Sequence, residues 1–229
     1  MTNNQKILAC LKGQLIVSCQ ALKDEPLHSS MIMGRMALAA KMGGAAGIRS
    51  NTVEDITEIK KQVDLPVIGI IKADYDDSEI YITPTMREIE SLLQSPAEII
   101  AMDATARKRP GGVSVEELVK AVKEAGKLAM ADISNFEEGI NAEEIGFDIV
   151  STTLSGYTPY TLDREKPDLD LIAALAGKLR IPIIAEGNVK TPEQMNECLR
   201  RGAHCVVIGG AITRPQLITK SFTDALERV

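Results

Sequence analysis

"IPIIAEGNVKTPEQMNECLRRGAHCVVIGGA", residues 181–211, holds two short apolar runs joined by one segment of helical pattern. The first run ends at Glu186 and Gly187, the second at Gly209 and Gly210. Between them, Thr191 before Pro192 marks a helix start, because a threonine hydroxyl can accept an orphan N–H and proline lacks only an N–H that would be unpaired there. Gly202 stands where that helix should stop. Two strands separated by a helix pair in parallel through a right-handed crossover, so this stretch reads as a β–α–β unit.

The same pattern recurs along the chain. Further apolar runs are "GQLIVSCQ", "AAGIRS", "LPVIGIIKA", "EIIAMDAT", "KLAMADIS" and "DIVSTTL", which bring the number of strand candidates to eight. Helix candidates lie between them at "SSMIMGRMALAAKMG", "TVEDITEIKKQV", "SVEELVKAVKEAG" and "DLDLIAALAGKL". Ser114 with Glu117 forms a capping-box pattern, and Gly43 and Gly126 are further stop signals. Eight units of about 29 residues each fit a single-domain (β/α)8 TIM barrel over 1–229 better than the alternative, a doubly wound open sheet. The least regular stretches are "DYDDSEIYITPTMREIESLLQS" after the third strand and "SGYTPYTLDREKPDL" after the sixth.

Composition narrows the function. A net charge of −6 argues against a general nucleic-acid or anionic-membrane surface and leaves any cationic site local. Aromatic residues are 3% of the chain with no tryptophan, so stacking platforms for bases are scarce. A small polar ligand fits better. Cys10, Cys19, Cys198 and Cys205 form no CxxC pair, and with only His28 and His204 beside them no zinc-ligand spacing arises. The expectation is free thiols in a reducing cytoplasm and no metal. No leader-like N-terminus or membrane-length apolar stretch is present, so a soluble cytoplasmic protein is expected.

The strand ends carry the chemistry. Gln20, Arg49, Lys72, Asp103, Asp132, Thr152 with Thr153, Glu186 and the Gly209–Gly210 pair each follow an apolar run at its C-terminal end. In a barrel these positions converge on one mouth, the face that holds active sites. Glycines directly after strands seven and eight let backbone N–H groups approach phosphate oxygens, and Arg214 is near enough in sequence to add a charged donor. The alternative is that Gly209 and Gly210 serve only a tight turn.

Taken together, "CQAL", "GIRS", "IGIIKADY", "DATARKRP", "MADIS", "STTLSGYT", "IIAEGNV" and "VIGGAITRP" resemble, in this order and spacing, the bacterial N-acetylmannosamine-6-phosphate 2-epimerases. The resemblance spans roughly residues 12–226. It implies interconversion of N-acetyl-D-mannosamine 6-phosphate and N-acetyl-D-glucosamine 6-phosphate in sialic acid and amino-sugar catabolism, with no cofactor. Lys72 and Glu186 match the catalytic pair, and Asp132 the residue that orients and charge-balances it. Gln20 and Arg49 match sugar contacts, with Thr153 beside them, while Gly187, Gly209, Gly210 and Arg214 fall on the phosphate site. A homodimer is compatible with the resemblance.

The reaction can also be built from chemistry. Inverting C2 requires loss of its hydrogen, which is acidic only when C1 is an aldehyde, so the ring must open first. Two titratable groups in unlike environments at one mouth suit the proton removal and return that follow. Lys72 as base, or as cationic acid, and Glu186 as partner fit those roles; the direction of transfer stays open. The alternative for Lys72 is a salt bridge to Asp74 or Asp132, for Glu186 a helix cap, and for Asp132 a partner to a nearby basic group. Asp103 with Arg107, Lys108 and Arg109 reads either as a charged wall over the phosphate or as a solvated loop. His28 and His204 read as packing or surface residues. Rival functions are a Schiff-base aldolase using Lys72, another phosphosugar isomerase, and a non-catalytic phosphosugar sensor.

Overall fold

The computed structural model describes residues 1–161 and 164–226. Eight parallel strands form a closed barrel in chain order: β1 Leu15–Cys19, β2 Gly47–Asn51, β3 Val67–Ile70, β4 Ile99–Asp103, β5 Leu128–Asp132, β6 Ile149–Ser151, β7 Ile183–Ala185 and β8 Cys205–Ile208. The barrel, and not the open sheet, is the fold. Two residues of the irregular stretch after β6, and the last three of the expected 1–229 domain, lie outside the described residues.

Each strand is buried on both faces, and period two divides its side chains between two cores. In β4, Ile99 and Ala101 join Ile16, Ile68, Met130, Ile149, Ile184 and Val207 inside the barrel, while Ile100 and Met102 pack outward against the helices. The helix α1, Asn3–Leu11, closes the bottom of that inner core with Ile7 and Leu11. Sequence reading did not anticipate α1, although Thr2 and Gln5 make a capping box at its start.

The outer layer comprises α2 Ser30–Met42, α3 Val53–Gln62, α4 Met86–Leu93, α5 Val115–Glu124, α6 Phe136–Ile145, α7 Leu169–Ala176 and α8 Pro192–Arg200. After β8 come the single turn α9, Gly210–Thr213, and α10, Pro215–Asp224. Helix α4 lies inside the stretch read as irregular; Thr85 caps it, with Glu88 closing a capping box, and Ile89 and Leu92 bury its inner face. Helix α10 has no buried residue and leaves Leu217 and Phe222 exposed.

The segment after β3 departs from simple barrel geometry. Lys72 bridges Ile82 and Tyr75 bridges Ser78 in antiparallel fashion, so residues 72–82 form a small hairpin. Its return arm wedges between β3 and β4: the Asp103 N–H donates to Ile82 O at 3.1 Å, Thr83 N–H to Ile71 O at 2.7 Å, and Thr83 Oγ1 to Ala101 O at 2.7 Å. This explains why β3 and β4 share only the register pairs Ile68–Ile99 and Gly69–Ile100. Thr83 takes a left-handed φ of 47° to make these bonds.

Candidate active site

Period two also aims the site residues. Stepping by twos from interior apolar positions, Ile16 leads to Ser18 and Gln20, Ile70 to Lys72, Met130 to Asp132, Ile184 to Glu186 and Val207 to Gly209. Their side chains therefore point into the barrel axis at its C-terminal end. A cavity of about 800 Å³ opens there, lined by Gln20, Arg49, Lys72, Thr153, Glu186, Gly187, Gly209, Gly210 and Arg214 among others. Because β3 and β7 are four places apart in a ring of eight, Lys72 and Glu186 approach from opposite sides.

The floor is an ionic network centred on Arg49, which is 1% exposed and whose Nε is left without a partner among the described residues. Its guanidinium forks onto Asp132, Nη1 to Oδ1 at 3.0 Å and Nη2 to Oδ2 at 2.6 Å. The same Nη1 donates to Glu186 Oε2 at 2.5 Å and to Thr153 Oγ1 at 3.1 Å, and Thr153 Oγ1 donates to Asp132 Oδ1 at 2.6 Å. Thr152 fixes the backbone of Glu186 from both sides: its Oγ1 accepts from Glu186 N and donates to Glu186 O. Asp132 is fully buried and lies outside the cavity lining. Its carboxylate is joined to Glu186 through their shared Arg49, the basic group it partners.

Arg49 is held as a cation, its own burial penalty outweighed by the two carboxylates, so its pKa is raised. Burial pushes the Glu186 carboxyl above the ordinary range, Arg49 opposes the rise and Asp132 adds to it. Lys72 moves the other way. Burial pulls its ammonium below the usual lysine value, helped by Arg49 and Arg214 and opposed by Glu186 and Glu25. Its N–H is anchored to Asn51 Oδ1 at 2.9 Å, yet among the described residues its Nζ joins no ion pair, with Asp74 and Asp132 included. Lys72 is thus a half-buried amine free to meet a ligand. Glu186 is likewise not a helix cap, since Thr191 caps α8.

The opposite rim is made of backbone. Gly187 has a left-handed φ of 104° and Asn188 follows at 56°, with Asn188 Nδ2 donating to Arg164 O at 3.0 Å. The N–H groups of Gly187, Asn188, Gly209 and Gly210 have no acceptor among the described residues. An alanine Cβ at Gly210 would meet nothing closer than 3.5 Å, so the glycine there leaves open space without filling a steric need. Arg214 reaches this rim but is already engaged: Nε and Nη2 fork onto Glu25 at 2.6 and 3.0 Å. Glu25 also accepts from Leu22 N and Gln216 Nε2, so the loop after β1 is tied to the start of α10.

The basic loop after β4 does not line the cavity, and only part of it is solvated: Lys108 is exposed while both arginines have protein partners. Arg107 pairs with buried Asp103 at 2.6 Å and Arg109 is buried against Pro84 O and Asp103 O. Ser78 Oγ donates to Lys108 O, stitching this loop to the hairpin. None of Asp103, Arg107, Lys108 and Arg109 lines the cavity. His28 and His204 sit on backbone carbonyls of Ala21 and Leu8, and neither lines the cavity. Burial pushes the Cys19 and Cys205 thiols up to about 12. Sequence reasoning missed Tyr81, Tyr157 and Glu25; each lies in a loop that strand-end logic does not reach.

Residues 33–228 match the family described as "Putative N-acetylmannosamine-6-phosphate epimerase". A Clostridium perfringens protein carrying the 2-epimerase form of that name is 60% identical over 221 residues, covering 96% of this chain and all of that one. Its Clostridioides difficile counterpart is 59% identical over 217 residues, covering 95% and 97% respectively. The solved structure of the N-acetylmannosamine-6-phosphate 2-epimerase from Clostridium perfringens superposes with a TM-score of 0.95 at 60% identity, covering 96% of both chains. With a barrel and a sequence in common over nearly its whole length, the chain belongs to the N-acetylmannosamine-6-phosphate 2-epimerase family.

Proposed function

We propose that this isomerase interconverts N-acetyl-D-mannosamine 6-phosphate and N-acetyl-D-glucosamine 6-phosphate by moving a proton at C2 of the ring-opened sugar. The observation that carries the reading is the Lys72 Nζ, unpaired among the described residues and facing Glu186 across the mouth, with a backbone-lined rim after β7 and β8 beside them. The phosphate rests on the N–H groups of Gly187, Gly209 and Gly210, with the remaining donors of Arg214 adding charge. C2 then lies between the two titratable groups. A lysine lowered and a glutamate raised from their usual values approach the working pH from opposite sides, which suits general acid–base exchange.

Lys72 exchanges the C2 proton, and Glu186 assists ring opening or serves the opposite face. Arg49 holds Glu186 in place and supplies a fixed positive charge near the enediolate-like anion, where preorganised charge has its largest effect. Gln20 and Thr153 contact the sugar from β1 and β6. The chemistry draws on no cofactor, and its role is in amino-sugar catabolism in the cytoplasm. Among the described residues no helix is long and apolar enough to cross a membrane. Assembly as a homodimer fits this reading, with Phe222 of α10 exposed.

Incubation with N-acetylmannosamine 6-phosphate in D2O, followed by NMR, tests the reading. The expected result is N-acetylglucosamine 6-phosphate bearing deuterium at C2; turnover with the C2 hydrogen retained would sink the proton-exchange mechanism. A depressed, unpaired lysine also suits a Schiff base. Borohydride in the presence of substrate separates the two: covalent trapping on Lys72 supports the aldolase-like path, and full recovery of activity supports epimerisation.

A further inference from the structure

The chain has four tyrosines, and three of them find a partner for the hydroxyl. Tyr75 donates to Glu88 at 3.0 Å, Tyr160 to Glu138 at 2.8 Å and Tyr157 to Asn188 Oδ1 at 3.3 Å. Tyr81 is the exception. Its ring is half-buried in the cavity wall, and its hydroxyl bonds to no group among the described residues. A phenol whose ring packs in a cavity wall while its hydroxyl stays open to the cavity is placed to bond what enters.

The backbone fixes that placement. Tyr81 sits on the return arm of the hairpin that carries Lys72, its carbonyl accepting from Ala73 N at 3.0 Å, between Ile80 and Ile82, which are 0% and 2% exposed. The arm roofs the seam between β3 and β4, and neither Asp103 nor Asp132, the mouth residues of β4 and β5, lines the cavity. On that side the polar group offered to the cavity is Tyr81. Strand β4 lies four places from β8 in the ring, so Tyr81 stands across the mouth from Gly209, Gly210 and Arg214.

With the phosphate of a hexose 6-phosphate on the β7–β8 rim and C2 between Lys72 and Glu186, the end of the sugar that reaches Tyr81 is the one bearing C1 and the C2 substituent. We propose that Tyr81 is a specificity-determining residue whose hydroxyl donates a hydrogen bond to the carbonyl oxygen of the C2 acylamino group. The inference rests on the function proposed above. A neutral donor suits an amide carbonyl, which offers lone pairs and no charge. Burial, then the carboxylates of Asp132 and Asp103, push the phenol above its ordinary pKa, so it remains a donor throughout the neutral range.

The test is Tyr81→Phe in the full chain, which removes one oxygen that the fold does not use. Dissociation constants are measured for N-acetylglucosamine 6-phosphate, 2-deoxyglucose 6-phosphate and inorganic phosphate, together with kcat and KM for epimerisation. The variant is expected to lose about tenfold in its preference for the acylamino sugar over the 2-deoxy sugar, with KM rising by a similar factor and kcat held within about threefold. Affinity for 2-deoxyglucose 6-phosphate and for phosphate stays unchanged. An unchanged preference overturns the proposal, and so does a fall in kcat alone, which assigns the hydroxyl to the C1 oxygen instead. Equal loss for all three ligands with a lowered unfolding midpoint makes Tyr81 structural and also overturns it. If the unmodified enzyme fails to epimerise N-acetylmannosamine 6-phosphate, the functional reading falls and takes this one with it; a null result confined to Tyr81→Phe leaves that reading standing.

Discussion

The floor of the mouth and its β7–β8 rim are made of different materials. On the floor, Arg49, Asp132 and Glu186 pair as ions with Thr153 bonded among them, across strands far apart in sequence. On the rim, unpaired backbone N–H groups follow glycines, and the arginine present is shared with a loop carboxylate. A buried ionic network fixes positions but tolerates no missing member, because each removal strands a charge. A backbone rim has little to strand, so changes there should touch ligand binding before stability.

Arg49→Met attacks the floor directly. It leaves Asp132 and Glu186 facing each other without a cation, and a loss of about 3 kcal/mol in unfolding free energy is expected, measured by denaturant titration. Epimerisation should disappear with it. A loss below roughly 0.5 kcal/mol would show that the floor is no more demanding than the rim.

Lys72→Met separates catalysis from stability, because Nζ holds no partner among the described residues. Turnover and C2 deuterium exchange should fall by about 10³-fold while the unfolding midpoint holds or rises. In the unmodified enzyme the lysine limb of the kcat/KM profile lies below the ordinary lysine pKa, and its sign identifies the working form. Rates that fall as pH climbs through the limb mark the ammonium; rates that rise mark the free amine. Lys72→Met should erase the limb.

On the rim, Glu25→Gln weakens the fork that holds Arg214. An effect of about 1 kcal/mol is expected, seen as a roughly fivefold change in KM for the phosphosugar with kcat retained. Gly210→Ala should be the mildest for the fold, since the added Cβ meets Leu217 Cδ1 at an ordinary 3.5 Å. Stability should stay within about 0.5 kcal/mol while phosphate affinity drops, a split that isothermal titration beside thermal unfolding would reveal.

The barrel was legible because its strands are apolar on both faces and its helices are punctuated by caps and glycines. Even the inward aim of Lys72, Asp132 and Glu186 follows from counting by twos along each run. The partners of Arg49 were not, because they lie 83 and 137 residues away and only barrel closure brings them together. Helix α4 escaped notice behind a polar, proline-containing lead-in, though Thr85 and Glu88 carried its start signal. The loop after β4 looked solvated by composition; its arginines are consumed by Asp103 and by carbonyls of the neighbouring hairpin, a tertiary arrangement that local pattern does not encode.

Loops on the C-terminal face of a barrel are usually the exchangeable part, varied while the scaffold persists. The segment after β3 does not divide that way. Ile82 and Thr83 complete the hydrogen bonding of Asp103, Ile71 and Ala101, so they belong to the wall as much as to the loop. Grafting a foreign segment between Ile71 and Pro84 would unseal the scaffold itself, together with the lysine it carries. Diversification of this enzyme for new sugars is therefore confined to the other loops, or to single side chains on this arm such as Tyr81.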